Sequence, residues 1–260
     1  MLRGFRRTIR KQGNRIIDKI MKPEEKTHIL VTCFQKSGST YLARLLREIT
    51  GFCRARLCQF YGNNEQDICQ FRIKKFYRVN SVTQQHIKGT DNNIALMKKH
   101  YFKPVVLTRN ILDVLMSLHD HIEIEDHRSP TGYVHKEYFE MNKEEKLMYL
   151  IRIHLPWYFN FFISWQEASQ TMDVLWISYE ELFSNQCKTV QKILDFYGIS
   201  ASTNQIKSAI SAIKTKNTRL NVGKSGRGES LSAAHKKAIL DLAVCWKVNK
   251  EVMKIIGVEL

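Results

Sequence analysis

The chain has 260 residues, of which 43% are hydrophobic and 25% charged, a composition that excludes intrinsic disorder and fibrous repeats and is sufficient for a buried core. Lysine and arginine number 41 against 25 acidic residues, so the formal net charge is +16, which favours an anionic partner: nucleic acid, a membrane surface or a phosphorylated small ligand. No apolar run reaches the roughly 18–20 residues of a membrane-spanning helix, and no signal peptide is recognisable, so we expect a cytoplasmic protein.

The N-terminus is strongly basic and apolar residues recur in it at loosely helical spacing. Its basic residues are Arg3, Arg6, Arg7, Arg10, Lys11, Arg15, Lys19 and Lys22. Two interpretations stay open: an amphipathic helix that makes weak contact with an anionic membrane surface, and a terminal helix whose apolar stripe packs on the domain. We treat residues 1–27 as a basic N-terminal segment and 28–260 as one domain, because no linker rich in Pro, Gly or Ser divides the chain.

Strands and helices alternate along the domain. An apolar run predicts a strand over His28–Phe34, and helical spacing follows over Ser39–Ile49, with Gly51 suited to close the helix. Further strands are predicted over Pro104–Thr108 and Asp173–Ser178, each before a helical stretch. Buried strands that alternate with helices indicate a parallel sheet covered on both faces. We therefore predict the α/β class, as a single three-layer domain with a central parallel sheet.

The second half of the chain is mostly helical with one exception. Helices are predicted over Glu144–Ser169, Cys187–Tyr197 and Ser232–Ile256. Thr215–Ser230 is polar instead and contains three glycines and four basic residues, which is typical of a basic loop, either a ligand-binding segment or a solvated surface. The six cysteines form no Cys-x-x-Cys pair, so we expect free thiols and no metal site.

The turn after the first strand has the composition of an anion-binding site. Residues 35–40 read Gln-Lys-Ser-Gly-Ser-Thr and end where the helix begins, so free backbone N–H groups, a lysine and three hydroxyls meet there. It is not a Walker A sequence, because Lys36 precedes the only glycine, Gly38. The same residues also fit a helix whose serine and threonine merely cap its own N–H groups.

A second charged junction follows the strand Pro104–Thr108. Arg109 comes directly after that strand, and Ser117 lies eight residues later, about two helical turns on. The carboxyl ends of strands in open α/β sheets border the crevice where ligands bind. The alternative is a local ion pair between Arg109 and Asp113, four residues apart.

Taken together, these segments resemble the sulfotransferases. Residues 34–41, Phe-Gln-Lys-Ser-Gly-Ser-Thr-Tyr, resemble the family's 5′-phosphosulfate loop, Tyr-Pro-Lys-Ser-Gly-Thr-Thr-Trp, and residues 109–117 resemble its 3′-phosphate motif, Arg-Asn-Pro-x-Asp-x-x-x-Ser. Residues 174–182 look like the strand whose tyrosine lies near the adenine, and residues 223–228 resemble the late glycine-rich loop. The resemblance extends from residue 28 to about residue 231.

The resemblance implies a P-loop-like topology and an activity. Members of the family transfer the sulfuryl group of 3′-phosphoadenosine 5′-phosphosulfate (PAPS) to a hydroxyl or amine and release adenosine 3′,5′-bisphosphate (PAP). The cofactor-binding residues that it implies here are Lys36, Ser37, Gly38, Ser39, Thr40, Tyr41, Arg109, Ser117, Tyr179, Lys224, Gly226, Arg227 and Gly228. Lys36 is also expected to be catalytic, by neutralising the oxygen that is freed when the S–O bond breaks.

The chain departs from the family pattern in the late loop. Asn221 and Val222 stand where the family usually has Arg-Lys, which weakens the expected 3′-phosphate clamp. Lys224 and Arg227 are the nearest basic substitutes. Tyr41 replaces the usual tryptophan and can still stack on adenine.

The catalytic base is the less determined part of the site. The family's histidine commonly lies within Lys-Thr-His, but aligning Lys88 with that lysine puts Thr90 in the histidine position. His86 shares a face with both if the segment is a strand, and a histidine suits proton removal near neutral pH. His121, near the end of the helix that follows Arg109, is the other candidate.

These patterns leave two functions open. One is a sulfotransferase that uses PAPS as donor, with an acceptor alcohol, glycan or lipid that the sequence does not identify. The other is a non-catalytic nucleotide-fold protein that binds an anionic glycan, lipid or nucleic acid. Apart from its charge, the chain carries no motif for specific nucleic-acid recognition, and its oligomeric state is equally open.

Overall fold

The computed structural model describes residues 26–60, 65–124, 129, 131–214, 225–248, 253 and 257. Within these ranges a parallel sheet of five strands forms the centre, in the order β2-β3-β1-β4-β5. The strands are β1 His28–Cys33, β2 Cys53–Ala55, β3 Ser81–Gln85, β4 Pro104–Thr108 and β5 Leu175–Ser178. The basic N-terminal segment Arg3–Lys22, on which the membrane-contact hypothesis rests, lies outside the described residues.

Helices cover both faces of the sheet. They are α1 Ser39–Thr50, α2 Gln70–Phe76, α3 Asp91–Lys99, α4 Ile111–Ile124, α5 Lys143–Ile153, α6 Leu155–Ala168, α7 Tyr179–Ser184, α8 Gln186–Phe196, α9 Thr203–Lys214 and α10 Ala233–Cys245. One apolar core contains side chains of α2 to α6 and α10, and the other contains side chains of α1, α8 and α9. The predicted α/β class with a parallel sheet between two helical layers is confirmed.

Two predicted elements differ from the structure. The long helical region expected over Glu144–Ser169 consists of two helices, α5 and α6, which meet at His154. The cause is Pro156, which occupies the first turn of α6, where its missing N–H and its fixed φ favour a helix start. The helix expected over Ser232–Ile256 ends at Cys245 among the described residues.

The sheet also contains strands that the sequence pattern did not indicate. β3 lies between β1 and β2 although its sequence, Ser-Val-Thr-Gln-Gln, is largely polar. Gln85 is fully buried, and its side-chain oxygen accepts the N–H groups of Leu57 and Cys58 at 3.1 Å each. Such buried polar groups are tolerated because tertiary partners satisfy them.

Two negative observations concern the described residues as a set. Every helix within the described ranges is too short or too polar to cross a membrane. All six cysteines lie within these ranges, and none is joined to another by a disulfide bond there.

Candidate nucleotide site

The parallel arrangement brings the predicted site residues to one edge of the sheet. β1, β3, β4 and β5 all end at this edge, and each is followed at once by a polar or charged segment. The segments are the turn at residues 35–38, His86, Arg109 and Tyr179. This edge is the place where ligands bind in open α/β sheets.

The turn after β1 leaves the start of α1 open. Lys36 and Gly38 have φ values of 63° and 76°, in the left-handed region that glycine adopts without strain. The residue that precedes the helix is Gly38, so no side chain caps the first N–H groups of α1. The hydroxyl of the preceding residue, Ser37, donates to the Phe34 carbonyl at 2.7 Å. The open N–H groups favour the anion site over the self-capped helix.

Gly38 lies close to an aromatic pair. A Cβ atom at this position would be 3.1 Å from ring carbons of both Phe183 and Tyr179. Those two rings are 4.3 Å apart between centroids, and the Tyr41 ring lies 5.4 Å from that of Phe183. Phe183 was not among the predicted site residues; its position four residues after Tyr179, on the same face of α7, is the signal that indicates it.

Arg109 connects the turn to the aromatic pair. One guanidinium nitrogen donates to the Lys36 carbonyl at 2.9 Å, and the guanidinium carbon lies 4.0 Å from the centroid of the Tyr179 ring. The side chain is 7% exposed. Its nearest contact with Asp113 is 3.9 Å, which is too long for a hydrogen bond. The local ion pair expected from the spacing is therefore present, but without a direct hydrogen bond.

The backbone next to Arg109 is held from two sides. Asn110 accepts the N–H of Leu112 at 2.9 Å through its side-chain oxygen and so starts α4. The Asn110 N–H donates to the Glu180 carboxylate at 3.1 Å. Glu180 thus joins the end of β4 to the start of α7, a role that the sequence pattern did not indicate.

The late loop contacts the same helix. The N–H groups of Gly226 and Gly228 donate to the two oxygens of Asp113 at 2.9 and 2.8 Å. Arg227, between them, donates to Asp120 at 2.7 Å. In this arrangement both glycine N–H groups hold the loop on α4, and Arg227 supplies the positive charge of the loop. Lys224, predicted as a second basic residue here, lies outside the described residues.

Ser39, Thr40 and Ser117 complete the predicted set. Ser39 and Thr40 form the first turn of α1, with Ser39 buried and Thr40 exposed. Ser117 is half-buried on α4, one turn beyond Asp113. These positions are compatible with hydrogen bonds to an anion at the helix starts.

His86 lies at this edge, but not in the way that the sequence suggested. β3 ends at Gln85, so residues 86–90 are not a strand, and the shared face of His86, Lys88 and Thr90 is wrong. The segment instead packs against α6, where Trp165 donates to the Ile87 carbonyl at 2.9 Å. Gly89 allows this approach, since a Cβ there would be 2.5 Å from the Ser164 carbonyl oxygen.

The surroundings of His86 determine its tautomer. Its Nδ1 lies 2.9 Å from the Cys33 carbonyl oxygen, which can only accept, so Nδ1 carries hydrogen and Nε2 holds the lone pair of the neutral ring. Burial disfavours the charged ring, but contacts with Cys33 and the charge of Glu65 outweigh this and raise the pKa of His86 to about 9.

His121 lies farther from the edge. It is ten residues beyond Ile111, the first residue of α4, which corresponds to about 15 Å along the helix axis. The neighbouring His119 contacts Asp120 at 3.6 Å. No group of three or more His, Cys, Asp or Glu side chains within the described ranges has the geometry of a metal site.

Comparison with known proteins agrees with this architecture. The model of a family described as sulfotransferase domain matches residues 26–225. No curated protein matches the sequence. The solved structure of mouse sulfotransferase SULT7A1 complexed with PAP is similar, with a TM-score of 0.67 and 17% identity over 90% of this chain and 88% of that one.

Retinol dehydratase has a similar fold in two solved structures. Its complex with retinol and PAP gives a TM-score of 0.54 at 15% identity, over 85% of this chain and 82% of that one. Its complex with androsterone and inactive cofactor PAP gives 0.58 at 14% identity, over 87% and 82%. Likeness at these identities concerns the fold alone, and it confirms the P-loop-like topology predicted from the sequence.

Proposed function

The chain belongs to the sulfotransferase domain family, and on that premise we propose that it transfers a sulfuryl group from PAPS to a hydroxyl or amine of a small acceptor and releases PAP. The observation that carries the proposal is the uncapped start of α1 beside Lys36, which faces Arg109 across the same sheet edge. The similar structures that contain PAP support the choice of donor.

The two helix starts account for the binding of the donor. The open N–H groups of Ser39 to Tyr41 hold the 5′-phosphate, since a helix N-terminus attracts anions. Arg109 offers a planar and permanently charged fork to the 3′-phosphate, and Ser117 adds a hydroxyl. Tyr41, Phe183 and Tyr179 provide aromatic surface for the adenine.

The transfer step requires alignment and charge neutralisation. The acceptor oxygen forms a bond to sulfur while the bond from sulfur to the phosphate oxygen breaks, and that oxygen keeps the electron pair. Lys36 neutralises the charge that develops there. His86 takes the acceptor proton on Nε2, because the Cys33 carbonyl occupies Nδ1. His121 is the less favoured base because of its distance along α4.

A small apolar alcohol is the acceptor class that we favour over a glycan. The ring of His86 meets that of Trp157 at 6.2 Å, edge to face, and Trp157 belongs to an aromatic cluster with Phe34, Tyr158 and Phe161. An apolar wall beside the base suits an apolar acceptor. The retinol and androsterone in the similar structures are small apolar alcohols too.

The test is donor turnover with a panel of acceptors. Purified protein is incubated with PAPS labelled in the sulfate and with phenols, sterols, other lipid alcohols and glycans, and both labelled product and PAP are measured. Lys36→Ala should lower turnover at least 100-fold, whereas Lys98→Ala, an exposed lysine at the end of α3, should not.

The outcomes separate the two functions that the sequence left open. Label transfer that Lys36→Ala abolishes supports the enzyme. Thermal stabilisation by PAP without transfer to any acceptor supports the non-catalytic nucleotide-fold protein instead. Equal turnover by the Lys36→Ala variant and the wild type contradicts the proposed mechanism.

A further inference from the structure

The late loop is attached to α4 through the buried carboxylate of Asp113, in addition to the partly exposed ion pair between Arg227 and Asp120. Asp113 is 2% exposed, and each of its oxygens accepts one backbone N–H of the loop, from Gly226 at 2.9 Å and from Gly228 at 2.8 Å. A carboxylate this deeply buried is stable only when it is hydrogen-bonded. The loop therefore satisfies Asp113, and Asp113 in turn satisfies two backbone donors of the loop.

The shape of the loop depends on this contact. Gly226 has a φ of 85°, and a Cβ atom on Gly228 would lie 2.2 Å from the Leu112 Cβ. The backbone at Gly228 thus touches α4 directly, in a space that no other residue fits. Two hydrogen bonds and one close backbone contact bring this loop to the first turn of the helix that follows Arg109.

We propose that Asp113 is a positioning residue for nucleotide binding, which it serves by holding the loop that carries Arg227 on the helix that follows Arg109. The loop N–H groups make the direct hydrogen bonds to Asp113, and Arg109, 3.9 Å away, forms an ion pair with the same carboxylate. This inference rests on the proposed function, because it takes PAP as the ligand.

The first measurement is the affinity for PAP of the Asp113→Asn variant. Asparagine keeps the size of the side chain but presents an NH2 group to one of the two loop N–H groups, and two donors cannot pair. By titration calorimetry, we expect the dissociation constant for PAP to rise about 10- to 100-fold. In turnover, KM for PAPS should rise by a similar factor while kcat changes less than about threefold.

The second measurement follows the loop without any ligand. Hydrogen exchange of the Gly226 and Gly228 N–H groups should be at least tenfold faster in Asp113→Asn, with exchange in β1 and β4 unchanged. Gly228→Ala displaces the loop from the other side and leaves the carboxylate in place, so it should give the same two results. Asp241→Asn, at an exposed Asp on α10 paired with Lys237, is the matched control and should change neither.

These results test the inference and the proposed function separately. Unchanged exchange of the loop N–H groups in a folded Asp113→Asn protein overturns the inference, and so does a PAP dissociation constant within twofold of the wild type in both variants. A third outcome is that the wild-type protein does not bind PAP although loop exchange is faster in both variants. That outcome contradicts the proposed function and the nucleotide part of the inference, and it supports only the attachment of the loop to α4.

Discussion

The turn at residues 35–38 and the late loop at residues 225–231 lie at the same sheet edge but are held by different means. The turn is a direct continuation of β1 into α1, so the backbone of two regular elements determines its shape. The loop follows residues 215–224, which lie outside the described structure, and it is held on α4 by the side chains of Asp113 and Asp120. Local sequence determines the first region, and distant side-chain partners determine the second.

This difference has a thermodynamic consequence. Breaking the turn requires distortion of the sheet or of the start of α1, where Ser37 and Ser39 are buried. Releasing the loop requires only the loss of a few hydrogen bonds, each with a net value of about 1.5–3 kcal/mol when one partner is charged. We therefore expect substitutions in the turn to affect nucleotide binding more severely than substitutions that act on the loop.

The largest effect is expected from Gly38→Ala. Its Cβ would lie 3.1 Å from ring carbons of Tyr179 and Phe183, and a φ of 76° strains any other residue by about 1 kcal/mol. We expect PAP affinity to fall about 100-fold or more by calorimetry, because the N–H groups and the aromatic surface shift together.

Gly51→Ala is the matched control for that substitution. Gly51 has a φ of 68° at the other end of α1, and nothing lies within 4 Å of its Cβ position. Both variants should lose a similar amount of thermal stability from backbone strain, but only Gly38→Ala should lose PAP binding. Equal losses of affinity would mean that strain in α1, and not the turn itself, controls the site.

The next effect in size concerns pH. The pKa of His86, raised to about 9 by Cys33 and Glu65 against the effect of burial, means that the ring is mostly protonated at pH 7. A base acts only in its neutral form, so kcat/KM should rise with pH, by about 50-fold between pH 7 and pH 9.

His86→Gln provides the check, since glutamine cannot take up the proton and the rise with pH should disappear. The measurement is the pH profile of kcat/KM at saturating PAPS. A rise that levels off near pH 6.5, or one that persists in His86→Gln, would move the role of base to another residue such as His121.

A moderate effect is expected from Arg109→Lys. Lysine keeps the charge but loses both the stacking on Tyr179 and the planar fork, so the dissociation constant for PAP should rise about 10- to 30-fold. Arg72→Lys is the control, because Arg72 also lies over an aromatic ring, Phe76, and also donates to a carbonyl, that of Arg56. If lysine at position 109 bound PAP as well as arginine does, charge alone would account for the site.

The smallest effect is expected from Asp120→Asn. The ion pair between Asp120 and Arg227 is partly exposed, with both side chains between 20% and 25% accessible, and such pairs contribute little. We expect PAP affinity to fall about threefold or less, compared with at least tenfold for Asp113→Asn. A larger loss for Asp120→Asn than for Asp113→Asn would reverse the assignment of what holds the loop.

The residue positions that the sequence predicted well are those held by local structure. Lys36, Gly38 and Arg109 directly follow strands whose apolar runs are evident, so their place at the carboxyl edge follows from the periodicity alone. The helix break at His154 was missed although Pro156 signals it, because the apolar pattern continues across both helices.

The parts that were missed depend on partners far apart in the chain. The polar strand β3 is stable because β1 and β2 pair with it on either side. Glu180 acts on Asn110, seventy residues earlier, and Asp113 acts on a loop more than a hundred residues later. No local pattern encodes such pairings, since the sequence around each residue does not indicate its distant partner.

The sequence by itself determined the α/β class, the position of the glycine-containing turn before α1 and the membership suggested by its two phosphate motifs, because strand periodicity and helix starts are local properties. The tertiary structure added the contacts between distant residues. It shows an uncapped α1, brings the late loop to Asp113 beside the ion pair of Asp113 with Arg109, and fixes the tautomer of His86 through Cys33. These are contacts between groups that only folding brings together, and the burial that accompanies folding gives them their strength.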